Sequence, residues 1–102
     1  MLTLEPGDVI AFGRYGETVS GIVVRKTWYA HAPAASTITC YSPQTTWLHS
    51  FSYPGNYRIV EQPDAATRAA NVEEAHEWYR GQLLRYPAWR AFFDRHPDYR
   101  LF

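Results

Sequence analysis

Apolar and polar residues follow two different rhythms along this chain. Up to about residue 60 they alternate in short runs cut by glycine and proline. Beyond Gln62 they recur at steps of three and four. A period of two is that of a strand with one buried face, and steps of three and four are those of an amphipathic helix. Val9-Ile10-Ala11-Phe12 reads as a first strand launched by the turn Pro6-Gly7-Asp8, and Gly13-Arg14-Tyr15-Gly16 as the hairpin turn that ends it. A second strand runs from about Thr18 to Trp28, with Gly21 inside it marking a bulge or bend. Ser36 to Tyr41 forms a third, with Ile38 and Cys40 inward. Trp47, His49 and Phe51 share one face of a fourth, and Tyr57 to Val60 is a short fifth after the turn Tyr53-Pro54-Gly55-Asn56. Five such strands predict a small antiparallel barrel.

The second half predicts two helices. Asp64 is placed to cap the first, with Asn71 and Glu74 forming an alternative capping box and a break near Asn71. Val72, Ala75, Tyr79, Leu83 and Tyr86 make one apolar stripe. Pro87 stops this helix and suits the first turn of the next, which carries Trp89, Phe92, Phe93 and His96 until Pro97. The expected class is therefore α+β: one domain over residues 1–102, with a β-barrel at 1–61 and a helical arm at 62–102.

The barrel half resembles SH3-like small barrels and, more narrowly, is similar to the YodC-like family of short bacterial and phage proteins. The matching stretches are Pro6-Gly7-Asp8-Val9-Ile10, Thr18-Val19-Ser20-Gly21-Ile22-Val23, Ile38-Thr39-Cys40-Tyr41, and Phe51-Ser52-Tyr53-Pro54 before Tyr57-Arg58-Ile59-Val60. The resemblance covers roughly residues 5–61. It implies a five-stranded SH3-like fold and carries no activity with it.

Composition narrows the functional classes. Aromatic residues make up 17% of the chain, and ten Lys+Arg balance ten Asp+Glu. A neutral chain has no global field to hold a polyanion, as a non-specific nucleic-acid coat requires. The single cysteine, Cys40, excludes an internal disulfide, and no basic-then-apolar leader or membrane-length apolar run is present. The chain reads as a soluble, cytoplasmic protein without a membrane partner.

No catalytic or metal signature stands out. Cys40 and His49 would need an orienting acid, and none lies between Glu17 and Glu61. The single Glu73-x-x-His76 step lacks the second helix that a di-iron site needs, and Arg80 replaces the second histidine of a zinc helix. No cofactor is expected, and the chain reads as a non-enzymatic binding protein.

Two sets of residues suit binding. Trp78, Tyr79, Tyr86, Trp89, Phe92 and Phe93 on the arm exceed what one face of a small barrel would cover. They form the leading candidate surface for a protein partner or a homo-oligomer, in the setting of a phage or mobile-element accessory or inhibitor protein. Arg25, Lys26, Trp28 and Tyr29, extended by Tyr15 and Arg58, form the alternative, a nucleic-acid or nucleotide site in which cations meet phosphate and rings stack on bases.

Overall fold

The computed structural model describes residues 4–14, 16–27, 31, 37–52 and 57–101. It holds five strands, β1 (Val9–Arg14), β2 (Glu17–Thr27), β3 (Thr37–Ser42), β4 (Trp47–Ser52) and β5 (Tyr57–Glu61). Two helices, α1 (Ala65–Arg85) and α2 (Ala88–Arg95), follow, with a 3₁₀ turn at Pro97–Tyr99. All strands belong to one antiparallel sheet, ordered β4-β3-β2-β1-β5. The sheet is not closed: β4 and β5 are its two edges. It curls, however, because Phe51 of β4 and Tyr57 of β5 bring their ring centroids within 6.0 Å. The turn expected at 53–56 lies outside the described residues.

Alternation divides the sheet between two cores. Ile10, Phe12, Val19, Val23, Ile38 and Cys40 fill the concave face with Leu4. Ile22, Tyr41 and Leu48 point the other way and bury Ala75 and Tyr79 of α1 and Phe93 of α2. The helices therefore cover the convex face, and both faces of this thin sheet are apolar.

Gly21 is not the bulge that the sequence predicts. A Cβ there would lie 2.9 Å from Cys40 Sγ and 3.2 Å from Phe12 Cε1, so its hydrogen leaves room for both side chains. The irregularity comes three residues later, where Val23 pairs with Cys40 but Arg25 with Thr39, leaving Val24 as the extra residue. Directly opposed residues share a face. The bulge thus turns Arg25 away from the concave core and onto the helix side, where its guanidinium donates to the carbonyls of Pro97 and Arg100. The C-terminal tail is held there, and Tyr99 and Leu101 add to the convex core.

α1 is capped by Asp64, whose carboxylate accepts the Thr67 N–H at 2.8 Å. It runs unbroken through Asn71, which instead donates its side-chain amide to the Gly7 carbonyl at 2.9 Å. This contact belongs to a clasp joining the first turn to the helix. Pro6 and Gly7 occupy a turn closed by Asp8 N–H to Glu5 O, with Gly7 at φ 98°. Asp8 is fully buried and accepts from the Glu5 N–H, the Gln62 amide and Arg68 Nε, the last at 2.8 Å.

Candidate functional site

The six arm rings do not form one surface. Tyr79 and Phe93 are 2% and 1% exposed, so no partner reaches them in the folded chain. Trp78, Trp89 and Phe92 are half-buried against the convex core. The organiser of this cluster is Trp47, which the strand pattern places with His49 and Phe51. It stands at the start of β4, just after Thr46 at φ 51°, and its indole reaches around the sheet edge to the helices. Its ring meets Trp89 at 4.9 Å and Trp78 at 5.6 Å, both edge-on, and Phe92 at 5.9 Å. Counting rings on the two helices alone missed Tyr41, Trp47 and Tyr99, which give the helix rings partners within the chain.

What remains outside is the corner where α1 meets α2. Leu84 is 84% exposed and Tyr86 is 50% exposed, stacked on Trp89 with centroids 5.1 Å apart. Arg80, Leu83, Leu84 and Arg90 line an open pocket of about 340 Å³. Arg80 is paired with Glu73 two turns back on the same face of α1, and Arg85 sits in the last turn, where a cation complements the helix dipole. The corner therefore combines accessible apolar side chains with a cationic rim. Sequence periodicity counted Leu83 and Tyr86 as stripe residues, but Leu83 packs against the convex core while Tyr86, the C-cap of α1, is left exposed.

The alternative set is placed differently. Arg25 holds the C-terminal tail, and Lys26 Nζ lies 2.7 Å from Glu5 Oε1. Arg58 is exposed on edge strand β5. Tyr15, Trp28 and Tyr29 lie outside the described residues.

Cys40 and His49 do face each other across β3 and β4. Burial pushes the Cys40 thiol up to about 12, against a weaker opposite pull from its backbone contact with His49. The thiol is protonated at neutral pH, whereas the thiolate is the nucleophile. His49 is buried, and its Nε2 lies 2.7 Å from Thr45 Oγ1. Loss of solvent and the nearby charge of Arg14 hold its pKa below the usual imidazole value. The geometry is that of a packed pair beneath Phe12, whose ring is 5.1 Å from the imidazole. Among the described residues there is no cluster of histidine, cysteine and acidic side chains able to hold a metal ion. No described helix is long and apolar enough to cross a membrane.

Comparison with protein-family profiles, curated proteins and solved structures finds no match to this chain.

Proposed function

We propose that this chain is a non-enzymatic protein-contact module, built on an SH3-like open barrel, that binds through the α1–α2 corner. The observation that carries this reading is the pairing of Leu84, 84% exposed, with an open pocket rimmed by Arg80 and Arg90. Large apolar side chains grouped at a concavity mark interaction surfaces, and arginine is favoured there. The strand order β5-β1-β2-β3-β4 and the approach of Phe51 to Tyr57 support the SH3-like architecture. Engagement of Arg25 and Lys26 by partners within the chain favours protein contact over the nucleic-acid reading.

A second copy of the chain is the first partner to test. Glu73, Glu77, Arg80 and Leu84 follow each other at steps of four, three and four on the exposed side of α1. Two such helices running antiparallel about a two-fold axis between Glu77 and Arg80 set Glu77 of one against Arg80 of the other. Sedimentation velocity from low to high micromolar concentration should show a rise in mass that Leu84→Glu abolishes without altering the circular dichroism. A mass independent of concentration, together with no protein adduct from a photocrosslinker at position 84 that Arg90→Glu removes, would overturn the reading.

A further inference from the structure

The concave face of the sheet ends in a second cleft, distinct from the corner. Its floor is Val19 and His49, both nearly buried, where the core stops beyond Phe12. Trp47 and Thr45 form one side, and Arg14 and Glu17 the other, around a cavity of about 330 Å³. Arg14, Glu17 and Val19 come from the end of the β1–β2 hairpin, and Thr45, Trp47 and His49 from the β3–β4 turn and the first half of β4. The turn is fixed against β2 because Gln44 Oε1 accepts from the Ser20 N–H at 2.7 Å. The cleft is thus the mouth of the curled sheet, a position where barrels commonly hold ligands.

The lining defines what would fit. The volume is at the low end for small-molecule sites, enough for one ring with a short charged substituent and too little for a dinucleotide. Trp47 at one side and an aliphatic and imidazole floor suit a planar apolar ring. Arg14 and Glu17 oppose each other across the last rung of the hairpin and are both exposed, so a cation and an anion are presented side by side at the rim. Such a rim repels neither charge of a zwitterion. It disfavours a dianion, through Glu17, and a simple hydrocarbon, whose entry would strip water from both charges.

We propose that this mouth binds an aromatic α-amino acid, its ring beside Trp47, its carboxylate at Arg14 and its ammonium at Glu17. The guanidinium suits the carboxylate by its forked donors, and Glu17 accepts from the ammonium. Ligand binding here does not depend on contacts at the corner.

An ¹H–¹⁵N NMR titration with phenylalanine, 3-phenylpropionate and 2-phenylethylamine tests the assignment on the intact chain. Phenylalanine should give saturable shifts at Val19, Thr45, Trp47 and His49, and bind at least about threefold more tightly than either singly charged analogue. Arg14→Gln should lower phenylalanine binding to the level of the amine, and Glu17→Gln to that of the carboxylate. Both side chains are exposed, so unchanged dispersion of the remaining spectrum verifies the fold. No saturable shift up to about 20 mM ligand, equal binding of phenylpropionate and phenylalanine, or shifts insensitive to Arg14→Gln would each overturn the proposal.

Discussion

Asp8 shows how one side chain can tie distant parts of a small chain together. It sits in a turn that sequence reads as a strand launcher, yet its carboxylate joins the turn, Gln62 and the first half of α1. Burial alone would raise its pKa. The hydrogen bonds from Gln62, the Glu5 backbone and Arg68, with the charge of Arg68, outweigh this and hold it below the usual carboxylate value. A carboxylate with a depressed folded pKa adds stability that is fully present above its unfolded pKa, about 4, and is lost as pH falls through the folded value. Asp8→Asn should therefore destabilise the chain at neutral pH by about 2–3 kcal/mol, since it leaves Arg68 short of its anion. Urea unfolding at pH 7 and at progressively lower pH should show that gap narrowing towards acid. A gap unchanged below pH 4 would show that the charge of Asp8 is not what matters. Gly7 is part of the same arrangement: a Cβ there would lie 2.5 Å from Arg68 Cα, so the helix docks on the turn only because the side chain is absent.

Among the elements, the start of β4 matters most to how the helices sit. Trp47 touches Trp78 of α1 and Trp89, Phe92 and Phe93 of α2. No other strand residue reaches both helices through so many described ring contacts. Truncating a buried or half-buried aromatic in such a cluster removes both its transfer energy and its packing partners. Trp47→Ala should cost about 3–4 kcal/mol and loosen α2 more than α1, because α1 keeps its separate attachment at Gly7 and Asp8. Hydrogen exchange should show amides of residues 88–95 losing protection before those of 65–75. Equal loss along both helices would mean that the clasp does not hold α1 independently.

At the scale of the molecule, sheet and helices share one of the two cores. The convex core takes Ile22, Tyr41 and Leu48 from the sheet and Ala75, Tyr79 and Phe93 from the helices. Neither half covers its own apolar surface, so they should unfold in one step. Far-ultraviolet circular dichroism and tryptophan fluorescence should give coincident transitions, and a fragment of residues 1–61 should fail to give a dispersed NMR spectrum. A folded 1–61 fragment would show that the concave core alone suffices. This shared core is also why the arm rings are mostly unavailable to a partner, leaving the corner around Leu84 and Tyr86 as the exposed remainder.

The alternation of Ile10, Phe12, Val19, Val23, Ile38 and Cys40, the Asp64 cap and the stop at Pro87 were all legible from local pattern. Each expresses a preference of a few neighbouring residues: side-chain alternation, a capped first turn, a proline that cannot continue a helix. Local pattern also divided the chain into a strand half and a helix half. It could not say where the helices would lie, because that depends on which surfaces meet. The bulge at Val24 that turns Arg25 towards the tail, the reach of Trp47 around the sheet edge, and the clasp of Asp8 with Arg68 all join residues far apart in sequence. The same holds for the mouth, where Arg14 and His49 line one cleft only because the sheet curls. Residue types and spacing determined the elements; packing of the sheet against α1 and α2 decided which rings became core and which stayed on the surface.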